Sequence, residues 1–220
     1  LSVAGSEFPV AGKSNNLRIG VAEPATVATD YLIAAACGYF ALSLAAANVP
    51  VEWTLGFALG GASALLGGTV HRFPDFAGNR AHDTLWWLTL LLFGASAAAF
   101  GAGAVHIAAP AVNLLSVRLA AGTAVGIYAI AVLHKPEFRT AGKMALLMLG
   151  TFTIMGASLA LRGDARPAAL MFGCVILNAM GIAVQLRRLA PHSRFNHNDL
   201  FHVFQLAALW CLYLAVRSLL

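Results

Sequence analysis

Residues 84–117 read TLWWLTLLLFGASAAAFGAGAVHIAAPAVNLLSV, and nothing between Asp83 and Arg118 is Asp, Glu, Lys or Arg. A helix of about 20 residues, rising 1.5 Å each, crosses a hydrocarbon layer of about 30 Å. This run is too long for one crossing, so it must contain a break. Gly101, Gly103 and Pro110 supply the turn chemistry for one. The expected cut leaves helices over 83–104 and 111–133.

Outward from this pair, further uncharged apolar runs place helices at 30–49, 52–71, 143–161, 167–186 and 199–217. The fold class expected is all-α, a seven-transmembrane-helix bundle. It would form a single membrane domain over residues 28–220, behind a polar N-terminal segment, 1–27. Composition agrees: 60% of residues are hydrophobic, 10% are charged, and the mean hydropathy is +0.77. Soluble domains carry about a quarter charged residues, because their surfaces must face water.

The net charge of +5 does not indicate a nucleic-acid partner, because the charges sit in short clusters between apolar runs. Lys13, Arg18, Arg72, Arg80, Lys135, Arg139, Lys143, Arg187, Arg188 and Arg194 fall on one side of the expected bundle. Arg162, Arg166 and Arg217 fall on the other, and Arg118 lies inside helix four. Basic loops stay in the cytoplasm, so the N-terminus is expected inside and the C-terminus outside. Arg118 is expected to snorkel outward. Cys37, Cys174 and Cys211 lie in apolar runs at unrelated spacings and read as small hydrophobes. Gly56/Gly60 and Gly122/Gly126 read as close helix packing. Trp53, Trp86 and Trp87 read as an interfacial belt, and His106 as a solvated loop residue.

Ionisable groups at membrane depth are costly, and they mark function. Asp30, His71, His82, Asp83, His134, His197, Asp199 and His202 all fall at the expected cytoplasmic ends of their helices. The segment Asn196-His197-Asn198-Asp199-Leu200-Phe201-His202 is the densest in such groups. Asn198 and His202, four apart, share a helical face, as do Asp199 and His202, three apart. His197 is five positions from His202 and reaches the same point only if it precedes the regular helix. A catalytic zinc site needs three protein ligands and an open position for water. His71, His202 and one of His197 or Asp199 are the candidate metal ligands, with Asp83 or Asp30 to serve the water as catalytic carboxylates.

A histidine closing helix two, an aspartate opening helix three and histidines entering helix seven resemble the superfamily of alkaline ceramidases and adiponectin-receptor-like (progestin and adipoQ receptor) proteins. Phe201-His202-Val203-Phe204 resembles the helix-seven motif of the receptor branch. The resemblance implies a seven-helix membrane hydrolase holding zinc through three histidines and acting on membrane lipids. It departs at Asn198, where the family's H-x-x-x-H spacing has histidine, and at Gly67, where the family has serine. The segment His197–His202 also resembles bacterial membrane proteins, which implies a bacterial inner-membrane location with the site on the cytoplasmic side. The function expected is zinc-dependent cleavage of a lipid amide or ester. The alternative is a non-enzymatic receptor or a structural subunit of a membrane complex, with a homo-oligomer or another membrane protein as partner. A retinal protein is disfavoured because helix seven has no lysine for a Schiff base.

Overall fold

The computed structural model describes residues 23–73, 79–192 and 195–220. Most of the expected N-terminal segment, including Lys13 and Arg18, lies outside the described residues, as does Arg194. Seven helices run through the described residues: α1 Pro24–Ala46, α2 Val51–Arg72, α3 Arg80–Ala108, α4 Leu114–His134, α5 Phe138–Leu161, α6 Ala165–Arg187 and α7 His197–Arg217. All seven are long and apolar enough to cross a membrane. Large apolar side chains such as Leu42, Leu119, Ile127, Leu161 and Leu186 point outward. In water that surface would drive aggregation, whereas lipid tails are its natural solvent. The chain is an integral, multi-pass membrane protein.

Two boundaries differ from expectation in ways that matter. The break between α3 and α4 falls at Ala109–Asn113 instead of at 105–110. Gly101 and Gly103 stay helical, and Asn113 caps α4 by accepting from the main-chain nitrogens of Leu115 and Ser116. Helix α1 starts at Pro24, well before the expected residue 30. Proline is pre-organised for a first helical turn. Asp30 therefore sits nearly two turns inside the helix, buried, instead of at its mouth.

Helices α1, α2, α3, α5, α6 and α7 pack in a ring that closes α7 onto α1, while α4 leans on the outside of α3. On α1, Ile33, Cys37, Phe40, Ala41 and Leu44 form one inward stripe at helical spacing. Aromatic rings continue it across the bundle. Tyr213 stacks on Phe40 at 4.5 Å, Phe40 meets Phe57 at 5.3 Å, and Phe57 meets Phe100 at 4.9 Å. Trp53 belongs to this core and is wholly buried, so it is not part of an interfacial belt.

Gly56 lets α2 lie flat against α3, since a β-carbon there would run into the ring of Phe100. The next turn, Gly60, faces Ser96, whose hydroxyl donates to the Gly56 carbonyl at 2.7 Å. The other glycine pair differs: a β-carbon on Gly122 or Gly126 would meet nothing within 4 Å. Those two glycines do not pack within the described chain.

Candidate functional site

One end of the bundle collects the start of α1, the end of α2 and the start of α7. Helices α1 and α7 run parallel there at a constant register. Thr26 meets Asp199 and Thr29 meets His202, both at a sequence separation of 173, and farther along Ser43 meets Tyr213 at 170. Helix α2 runs the opposite way, which brings His71 in its last turn back to Glu23 at the start of α1.

The contacts form a chain of polar groups. His71 Nδ1 faces Glu23 Oε2 at 3.6 Å, and the Thr26 hydroxyl lies 3.2 Å from the same oxygen. Thr26 makes its shorter contact, 2.6 Å, to Asp199 Oδ1. His202 Nδ1 is 2.9 Å from the Thr29 hydroxyl, and its Nε2 is 3.5 Å from Asp30 Oδ1. The second oxygen of Asp30, Oδ2, is buried and has no hydrogen-bond partner among the described residues. His82, at the start of α3, lies within electrostatic range of His71. Gly67 of α2 passes close beside Asp30: a β-carbon there would lie 4.0 Å from both carboxylate oxygens, in ordinary van der Waals contact.

Local sequence explains why these side chains are held. Asn196 caps α7 by accepting from the nitrogens of Asn198 and Asp199, and Asp199 Oδ2 accepts from the Asn196 nitrogen at 2.7 Å. This reciprocal capping box fixes the first turn of α7 and uses one oxygen of Asp199. Thr26 takes the other. Both oxygens of Asp199 are thus engaged, while Asp30 keeps one free.

Of the candidates read from sequence, Asp30, His71, Asp199 and His202 converge. Asp83 does not. Its side chain is 58% exposed and lies 3.7 Å from His82 Nδ1, on the outer side of α3. His197 is the first residue of α7, half-buried, and joins none of the pairs above. Asn198 turns towards α6 and accepts from Gln185 Nε2 at 2.9 Å. Among the described residues no three His, Cys, Asp or Glu side chains are disposed to hold one ion. The imidazoles of His71 and His202 instead face separate carboxylates. The donors as arranged do not fit a three-histidine zinc site.

Glu23, Thr26 and Thr29 also belong to the site, and the helical spacing carried a signal for them. At about 100° per residue, positions 23, 26, 29 and 30 fall within about 120° of one another. That face became readable only once the helix was known to begin at Pro24.

A second pair of charges lies at the far end. Glu52, in the first turn of α2, is buried and accepts from Arg118 Nε at 2.7 Å. Arg118 is therefore tied inward to a carboxylate and does not simply snorkel outward.

Fold and site together define a seven-helix membrane protein with carboxylates and imidazoles gathered at one end of the bundle. The chain belongs to a family of unknown function, DUF6962, whose model matches residues 25–220 and so takes in essentially all of the seven helices. No curated protein and no solved structure matches it.

Proposed function

We propose that the protein is an intramembrane hydrolase that cleaves an amide or ester bond of a lipid, with Asp30 and His202 as its acid–base pair. The observation carrying this reading is the free, buried Oδ2 of Asp30 beside an imidazole whose other nitrogen is held by Thr29. Inserting seven helices into a bilayer does not require a carboxylate at that depth, and such groups at membrane depth mark function.

The protonation logic rests on the contacts. The Thr29 hydroxyl also lies 3.0 Å from the carbonyls of Ala25 and Thr26. If it donates to either, it accepts from His202 Nδ1–H, and a proton must then lie between Nε2 and Asp30. If it donates to Nδ1, then Nε2–H points at Asp30. In both cases one proton is shared across the Asp30–His202 gap, so the pair can release and take up a proton at one place. A water held by Asp30 Oδ2 gives its proton to the pair as its oxygen attacks the acyl carbon. The C–N or C–O bond of the resulting tetrahedral intermediate then breaks. The proton passes to the departing amine or alcohol, leaving a fatty acid. Positioned acid–base groups of this kind contribute about 10²–10⁴-fold to rate.

The distribution of basic loops supports an N-inside orientation, and in that orientation the chemistry lies at the cytoplasmic surface, where acyl lipids reach the site from the bilayer. Zinc, which the family resemblance implies, would require His71 and His202 to leave their carboxylate partners. The test is fatty-acid release from N-acyl and O-acyl lipids by purified protein. Asp30→Asn and His202→Ala should each lower it at least 100-fold while the protein stays folded. No release by the native protein, or release unaffected by both variants, overturns the proposal and leaves a receptor or structural subunit. Stoichiometric zinc that is lost in His71→Ala and His202→Ala would replace the metal-free pair with a metal site.

A further inference from the structure

At the end of the bundle opposite the Asp30 site, a cavity of about 350 Å³ opens between the α1–α2 turn, the end of α3, the α5–α6 turn and the end of α7. Pro50, Ile107, Leu159 and Val216 give it mainly apolar walls. Trp53 and His106 stand in its wall, and each carries a buried ring nitrogen, Nε1 and Nδ1 respectively, with no hydrogen-bond partner among the described residues. A buried polar group left unpaired costs about 1–3 kcal/mol. Neither nitrogen is open to the cavity, so the charge at its mouth carries the recognition. His106 lies in the last turn of α3 and is not a solvated loop residue.

The mouth adds a charge held in place. Arg162 Nη2 donates to the Ile107 carbonyl at 2.9 Å, and its Nε donates to the Ser158 carbonyl at 3.3 Å. These bonds pin the guanidinium to the rim and use two of its five N–H groups. The remainder of the fork is suited to an oxyanion. Asp164 lines the same rim, and its carboxylate repels a second negative charge there. One negative charge therefore matches the mouth better than two.

We propose that this cavity binds an amphiphile with a singly charged oxyanion on an apolar chain. The oxyanion meets Arg162 and the chain lies against Ile107, Leu159 and Val216. A free fatty acid and the phosphodiester of a phospholipid share this chemistry.

Equilibrium binding of radiolabelled decanoate to the full purified chain in a non-ionic detergent tests the proposal. Saturable binding at one site is expected. Arg162→Gln should weaken it at least tenfold, and decanol should not compete. Displacement by a short-chain phosphatidylglycerol identifies a phospholipid as the natural occupant, and failure to displace identifies the free acid. Should Arg162→Gln not fold, Ile107→Trp, which fills the cavity and leaves the arginine in place, should abolish binding. The proposal is overturned if neither amphiphile binds saturably, if decanol competes equally, or if the folded variants bind like the native protein.

Discussion

A carboxylate at membrane depth depends on its partners, and Asp30 has one imidazole at 3.5 Å and one oxygen with no hydrogen-bond partner among the described residues. Asp199 is at a similar depth with both oxygens bonded, so the two aspartates are expected to respond differently to substitution. Thr29→Val keeps the shape of the side chain and removes the hydroxyl that fixes His202. Lipid hydrolysis should fall about 10- to 100-fold, while thermal stability in detergent changes by less than about 1 kcal/mol. Asp199→Asn should do the reverse. Weakening the capping box and the Thr26 bond should destabilise by about 1–2 kcal/mol, with hydrolysis per folded molecule within a few-fold of native. Activity assays paired with melting curves check both. If Thr29→Val proves destabilising with full activity, the hydroxyl is scaffold and not part of the chemistry. At the far end, Arg118 is half-exposed, so its attraction to Glu52 is partly screened. Arg118→Met should still destabilise by about 1–3 kcal/mol, because it strands a buried carboxylate. Adding Glu52→Gln should recover most of that loss.

At the scale of elements, α4 is the least embedded helix, with only Val117, Tyr128 and Val132 buried along it. One hydrogen bond fixes its position on α3. Tyr128 donates its hydroxyl proton to the Leu90 carbonyl at 2.8 Å, and its ring lies where a β-carbon on Gly94 would be. Gly94→Ala should therefore push the ring out, break that bond and loosen α4 by about 1–3 kcal/mol. Faster amide hydrogen exchange along α4, with α1 and α7 unchanged, is the expected readout. Adding Tyr128→Leu should relieve the clash, and if it does not, the contact is not what Gly94 serves. Sequence patterning made α4 visible as a helix, because apolar length is written in composition. Its loose seating was not visible, since lipid-facing and core-facing alanines look alike. The starts of helices were hidden for a related reason. The first residues of α1, Pro24-Ala25-Thr26-Val27-Ala28-Thr29, are too mild to read as a span, yet they carry two of the hydroxyls that build the site.

For the whole molecule, seven crossings were legible because the hydrophobic effect of a bilayer demands length and little else. The site was legible only in part. Asp30, His71 and His202 stand out as polar groups in apolar runs. Asp83 carried the same signal, and its outward direction depends on the rotation of α3, which composition does not encode. An odd number of crossings also makes the two ends of the bundle inequivalent. Odd helices run parallel, so the Asp30 end shares its surface with the α4–α5 connection, and the Arg162 end shares its surface with the α3–α4 turn. Basic residues Lys135, Arg139 and Lys143 cluster at the first of these, from which the charge rule predicts a cytoplasmic position. With Cys37, Cys174 and Cys211 replaced by alanine, a cysteine at the exposed Val112 should react with a membrane-impermeant maleimide in intact cells. A cysteine at Glu137 should react only after permeabilisation. The opposite pattern would turn the molecule over and put the Asp30–His202 pair at the outer surface, where its lipids would have to come from the other leaflet.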